Sequence, residues 1–298
     1  MKKTIIIMIS VYLVLAGCAG GRMFTYKGTI VPGKWVYDLE VPCTREGCQQ
    51  KVKIQLYFPK DYKAGENSRV LIALPEYDGT MSDWRVNTAI ESYADRYGIV
   101  IVSPDIRRCV YATEYFPETR VRWGEISAPS WLGEELVPYL QRTFAIAGDR
   151  GKTGICGFGM GARGAFMTAA MYPGLFISAG GLAGYYDKQS VIRNRNFTAV
   201  YGKYRDFKDR WKEKDNLITM VKSMNDYHVF IAHGDKDNSS PIGQSRLMAI
   251  RFKQLDRGKG DIKLQYVEKK YKVHDWEFCR SSLNQMMGFF DESIEKER

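Results

Sequence analysis

The stretch Gly157-Phe158-Gly159-Met160-Gly161 constrains the fold more than any other part of the chain. Ahead of it, Gly154-Ile155-Cys156 reads as the end of a buried strand. Behind it, residues 162–172 read as a small-residue helix stopped before Pro173. Three glycines between a strand and a helix have the spacing of the G-x-S-x-G elbow, a tight turn that lifts a nucleophilic serine out of a sheet. Gly159 stands at the serine position, so the turn has no side chain with which to attack. Such an elbow forces its central residue to positive φ, which costs a residue with a side chain roughly 1–3 kcal/mol. Glycine enters that region freely.

The rest of the chain supplies the layers such a turn needs. Residues 24–31 and 34–41 alternate as two short strands divided at Pro32-Gly33, and residues 51–59 alternate as a half-exposed strand. Residues 70–75 and 98–104 are apolar runs of the kind found in buried strands, with helical spacing over 84–97 between them. A helix is expected from about 131 to 144, with Ser130 as N-cap and Glu134 and Glu135 in its first turns. Beyond the elbow come expected strands at 175–182, 229–232 and 263–267, and helices at 245–255 and 275–296. Residues 184–222, rich in aromatics and charge, read as an excursion above the sheet. The alternation predicts an α/β fold: a mostly parallel sheet with helices on both faces. A length of 298 residues, 45% hydrophobic, suits one large domain rather than a disordered or fibrous chain.

The N-terminus reads as an export signal: Met1-Lys2-Lys3, a short apolar run to Ala16, then Leu15-Ala16-Gly17-Cys18. The run is short of the ~20 residues of a membrane span. The Leu-Ala-Gly-Cys tetrad resembles the bacterial lipobox, which implies cleavage after residue 17 and lipidation of Cys18. Ala19 after that cysteine implies sorting to the outer membrane in a two-membrane bacterium. The alternatives are an ordinary signal peptide or a single anchor helix. The expected organisation is a signal over 1–17, a tether with edge strands over 18–50, and the catalytic-type domain over 51–298. Loss of Lys2 and Lys3 leaves 42 basic against 34 acidic residues, a charge of +8. Such a surface attracts anionic partners, but its cations are dispersed and no nucleic-acid motif is present. In an exported chain, Cys43 and Cys48 read as a local disulfide rather than a metal pair, because the three histidines fall far away. Cys109, Cys156 and Cys279 cannot all pair with one another, and Cys156 reads as an apolar filler of the elbow strand. No cofactor and no metal is expected.

Chemistry of the acyl-transfer type needs a nucleophile, a histidine base and an acid that orients it, in that chain order on this kind of sheet. The order is kept: Gly159, then His233-Gly234-Asp235-Lys236-Asp237, then His274. Asp237 is the preferred acid and Asp235 the second choice. Each follows an expected strand, where ligands gather on such sheets. With these residues in place, the chain resembles the putative-esterase family of α/β-hydrolases, which holds esterase D, feruloyl esterases and mycolyltransferases. The resemblance covers roughly residues 50–295. It rests on Tyr57 to Tyr62, Leu74 to Trp84, the elbow, Phe176 to Gly184, Trp211 to Leu217, His233 to Asp237 and His274-Asp275-Trp276. It implies an α/β-hydrolase fold, with Asp237 and His274 as acid and base and Gly159 as the substituted nucleophile.

A second departure lies after the strand ending at Leu74, where the family has His-Gly and this chain has Pro75-Glu76. The family's oxyanion hole implies Tyr77 and Met160 as backbone donors, and a glutamate beside it opposes negative charge. Two functions are therefore expected to compete. One is a lipid-anchored, esterase-like protein that binds a small ester, a glycan or an envelope protein in the cleft, lined by Tyr77, Trp84, Tyr185 and Trp276. The other is an active carboxylic-ester hydrolase that uses water or another nucleophile with His274 and Asp237.

Overall fold

A computed structural model describes residues 26, 28–42, 51–64, 68–114, 116 and 127–294. The sequences around Cys18, Cys43 and Cys48, and with them the signal, lipidation and disulfide expectations, lie outside the described residues.

Eight strands form one sheet in the order β1-β2-β4-β3-β5-β6-β7-β8. They are β1 (Lys34–Pro42), β2 (Lys51–Phe58), β3 (Arg69–Leu74), β4 (Ile99–Pro104), β5 (Thr153–Phe158), β6 (Ser178–Leu182), β7 (His228–Gly234) and β8 (Lys263–Lys269). β1 pairs with β2, and β2 with β4, antiparallel; all pairs from β4 to β8 are parallel. β3, β4 and β5 are buried at every residue, as their unbroken apolar runs require of strands covered on both faces.

The helices are α1 (Asp83–Asn87), α2 (Ile90–Tyr97), α3 (Ala128–Trp131), α4 (Val137–Phe144), α5 (Met160–Met171), α6 (Arg195–Tyr201), α7 (Lys208–Lys212), α8 (Leu217–Met220), α9 (Gly243–Asp256) and α10 (Trp276–Ser293). One core cluster packs α4, α5 and α9 on one face, and a second packs α2 and α10 on the other through Ala94, Cys279, Leu283, Met286 and Phe290. Cys109, Cys156 and Cys279 are buried free thiols.

Several expected elements change in detail. Residues 28–33 form no strand, and the chain enters the sheet only at Lys34. β2 alternates only over its first half, because Gln55 and Tyr57 turn inward: Gln55 Nε2 donates to the Met81 carbonyl, and Tyr57 Oη donates to Asp95 at 2.8 Å. The helix expected over 84–97 breaks at Thr88, whose Oγ1 accepts from the Ile90 N–H and donates to the Trp84 carbonyl. The next helix begins earlier than expected, with Ser127 rather than Ser130 as its cap, and widens into a π-helical turn over Leu132–Leu136. β6 starts at Ser178 because a turn after Pro173-Gly174 delays it. The segment 184–222 is helical, holding α6, α7 and α8.

Candidate active site

β3 sits between β4 and β5, so the chain leaves it in one direction and returns on its other side. The carboxyl ends of β3 and β5 therefore bound the crevice at a topological switch point, where ligands bind on such sheets. Glu76 follows β3 and Gly159 follows β5.

Gly159 forms the turn between β5 and α5 with φ +55 and ψ −113, the strained geometry expected of the elbow centre. Gly161 serves closeness rather than φ: a Cβ there would meet the Pro75 carbonyl oxygen at 2.3 Å and that of Leu74 at 2.6 Å. Its absence lets the first turn of α5 press against the end of β3. That contact brings the Pro75-Glu76 loop over the elbow.

The consequence is the central feature of the site. A Cβ at residue 159 would lie 2.3 Å from Glu76 Oε1 and 2.8 Å from Glu76 Cδ, so the glutamate side chain fills the space a serine needs. The same Oε1 accepts the Met160 N–H at 3.3 Å and lies 3.6 Å from His274 Nε2, an ion-pair distance rather than a hydrogen bond. Glu76 also opens a tight turn, its carbonyl accepting from the Gly79 N–H at 2.9 Å. Its side chain remains 22% exposed.

The other half of the site is built from the β7–α9 loop and the residues just ahead of α10. His274 Nδ1 and Asp237 Oδ2 are 2.7 Å apart. Asp237 is fully buried and takes four donors. Oδ1 accepts the Ser239 and Ser240 N–H groups, each at 2.8 Å, and Oδ2 faces His274 and, at 3.2 Å, His233 Nε2. His233 Nε2 is also 2.8 Å from the Ser240 carbonyl, so that nitrogen carries the proton, and Nδ1 accepts from Ser245 Oγ at 2.6 Å. A continuous chain thus runs Ser245–His233–Asp237–His274–Glu76. Asp235, the second candidate acid, is turned away: its Oδ1 accepts the Tyr271 N–H.

The charges follow from this geometry. Burial pushes the Asp237 carboxyl upward, but donation from His233, His274 and the Ser240 N–H outweighs it and holds the group well below the usual carboxylate range. Burial likewise pulls His274 down, but the carboxylates of Asp237 and Glu76 on its two sides raise it to about 9. At neutral pH the imidazole is therefore a cation clamped between two anions, with no lone pair free to take a proton. Phe158 stacks on its ring at 4.6 Å between centroids, and Tyr185 lies at 6.2 Å.

The structure brings Gly159, Met160, Asp237 and His274 together. The Tyr77 carbonyl accepts the Arg108 N–H at 2.6 Å, and its side chain is half-buried beside the site. Of the four aromatics expected to line the cleft, Trp84 does not: it is fully buried, donates to the Leu74 carbonyl at 3.0 Å, and packs edge-on against Trp276. Three participants had no assigned role in the sequence: Glu76 as occupant of the serine space, His233 as second donor to Asp237, and Ser245 behind it. Among the described residues no group of three His, Cys, Asp or Glu side chains could hold a metal ion.

Comparison with known proteins agrees with this architecture. Residues 46–290 match the family model described as "Putative esterase". An acetyl esterase of Caldicellulosiruptor saccharolyticus is 24% identical over 169 residues, which span 56% of this chain and 60% of that protein. Among solved structures, fluorophosphonate-binding serine hydrolase F of Staphylococcus aureus superposes with a TM-score of 0.67 at 15% identity, covering 87% of this chain and 99% of that one. An S-formylglutathione hydrolase of Agrobacterium tumefaciens gives 0.65 at 20% identity, covering 88% and 95%. With the fold, the elbow and a match over most of its length in agreement, the chain belongs to the putative-esterase family of α/β-hydrolases.

Proposed function

We propose that this chain is an envelope-tethered, esterase-like protein that binds a ligand in the ancestral cleft and is not an efficient serine hydrolase. The observation that carries the reading is Glu76. Its carboxylate occupies the volume of the missing serine side chain and accepts the Met160 N–H that a tetrahedral intermediate would need. In other hydrolases one such donor contributes roughly 3–4 kcal/mol to the transition state. Glu76 is equally unsuited to act as a replacement nucleophile, because attack from this position would leave the new oxyanion without that donor. His274, raised to about 9, supports the same conclusion: an imidazolium cannot serve as general base.

The tether rests on the lipobox-like Leu15-Ala16-Gly17-Cys18, which places Cys18 as the lipidated residue and the globule in the bacterial cell envelope, on the outer membrane where there are two membranes. Metabolic labelling with a radioactive or alkyne fatty acid tests this; loss of label in Cys18→Ala supports it.

The second reading, hydrolysis by a water held near Gly159, is favoured by the short His274–Asp237 contact of 2.7 Å. Purified mature protein assayed on short acyl esters, and probed with a fluorophosphonate, separates the two. Neither label nor turnover is expected. Turnover abolished by His274→Ala would establish the second reading instead.

A further inference from the structure

Resting on the non-hydrolytic reading, we propose that the Met160 N–H and His274 Nε2–H form a binding site for an external monocarboxylate, and that Glu76 is a tethered carboxylate which that ligand displaces. Two donors converge on one point, and that point is a carboxylate oxygen of the chain itself. Glu76 therefore demonstrates the chemistry the hole accepts: a planar anion, one oxygen on the backbone N–H and beside the imidazolium.

It also fits badly. The two contacts are 3.3 and 3.6 Å, whereas charge-assisted hydrogen bonds are roughly 2.7–2.9 Å. His274 Nε2 is buried without a hydrogen-bond partner, an arrangement that leaves a donor unsatisfied. Glu76 reaches the hole from a neighbouring loop whose backbone is held by the Glu76–Gly79 turn. A free carboxylate has no such restraint and can close both distances. The exchange costs little on the other side, because Glu76 is already 22% exposed and rotates into water. The walls suit a small organic acid rather than an inorganic anion: Phe158 stacks on the imidazole, and Tyr185 lies beside it.

The site holds its own charge constant through the exchange. Asp237 and its donors behind the imidazole are untouched, and one carboxylate replaces another at Met160. The ligand class is a small monocarboxylate, either a short-chain acid or the carboxylate of an acidic sugar.

The test is calorimetric titration of full-length mature protein with acetate, propionate and glucuronate, with acetamide as the neutral isostere, alongside the His274 ring resonances by NMR. Glu76→Ala removes the tethered competitor and should bind at least one of the acids ten-fold or more tighter than wild type. Glu76→Gln keeps the side chain's shape and should show a smaller gain in the same direction. His274→Gln in the Glu76→Ala background should abolish binding, and the His274 resonances should shift on titration. Preference for acetate over glucuronate identifies an acyl acid as ligand, and the reverse an acidic sugar. Equal affinity in wild type and a folded Glu76→Ala, equal binding of acetamide, or no binding at all overturns the proposal. Ester turnover by wild type would overturn the non-hydrolytic reading instead, which the titration does not measure.

Discussion

Two ionic clusters lie one helical turn apart on α5, and their charges are nearly inverted. At Met160, the cation His274 is held between the anions Glu76 and Asp237. At Arg163, the carboxylate of Asp215 lies among two basic side chains, Arg163 and Lys188, all three buried. There Asp215 accepts from the Tyr201 hydroxyl at 2.6 Å, from the Thr113 N–H at 3.0 Å and from the Thr113 hydroxyl. Arg163 donates to the carbonyls of Val110 and Asp215, each at 2.9 Å, and Lys188 donates to the carbonyls of Arg210 and Lys214 over the face of Tyr201. That cluster staples the 184–222 segment and the 109–113 loop to α5. Its members are buried and their contacts are mostly to backbone, as in a structural brace. The first cluster has one member partly in water and two long contacts. The contrast separates a group of charges built to hold from one built to exchange.

Removing the anion should expose that difference most sharply. Asp215→Ala leaves the buried Arg163 guanidinium without its neighbouring carboxylate and should cost about 3–5 kcal/mol, read as a lower midpoint in urea unfolding. Glu76→Ala should shift stability by no more than about 1 kcal/mol, as for other partly exposed pairs. Equal losses would erase the distinction drawn here.

Next in size is Gly159→Ser. It combines a side chain at φ +55 with a collision against Glu76, and should cost about 1–3 kcal/mol, or roughly 2–4 °C in Tm per kcal/mol. Adding Glu76→Ala should recover part of this loss, because the collision goes and the backbone strain stays. A rise in Tm for the single variant would contradict the strained turn.

The clusters should also differ in the sign of their pH dependence. His274 is raised to about 9 from an unfolded value near 6.5. Its stabilisation is fully present below about pH 6.5 and is lost as pH rises through 9. Lys188 is lowered to about 7, chiefly by burial and then by Arg163. Between 7 and about 10.4 the unfolded chain holds a proton that the native lysine lacks, so this group makes stability rise with pH over that range. Thermal melts from pH 6 to 10 on His274→Gln and Lys188→Met should change slope in opposite directions. Parallel changes would refute the assignment.

The smallest effect concerns one resonance. In Glu76→Gln the His274 titration should move below 9 yet stay above 6.5, because Asp237 remains; NMR of the ring protons measures it.

Much of this was legible in the sequence where local pattern and burial coincide. The runs of β3, β4 and β5 are apolar because both faces are covered, and the elbow glycines announce their own turn. Asp237 and His274 follow strands in an order that only a parallel sheet brings together. What could not be read depends on side-chain direction after assembly. Glu76 was visible as a misfit beside the oxyanion hole, but its reach into the space at residue 159 needs the contact between Gly161 and Pro75. His233 carried no assigned role in the acid-loop stretch, since nothing in the pattern reveals that its ring turns back onto Asp237. Trp84 misled because an aromatic at helical spacing reads the same whether its indole faces a cleft or the end of a strand.

The overlap between a side chain at 159 and the one at 76 has a historical consequence. A serine at 159 meets the glutamate unless Glu76 swings aside, and losing the glutamate alone supplies no nucleophile. On the proposed non-hydrolytic reading, an unobstructed serine at the elbow would demand two changes, at 159 and at 76. On that reading the paired residues at 159 and 76 act as a ratchet, which leaves the scaffold to serve other ends.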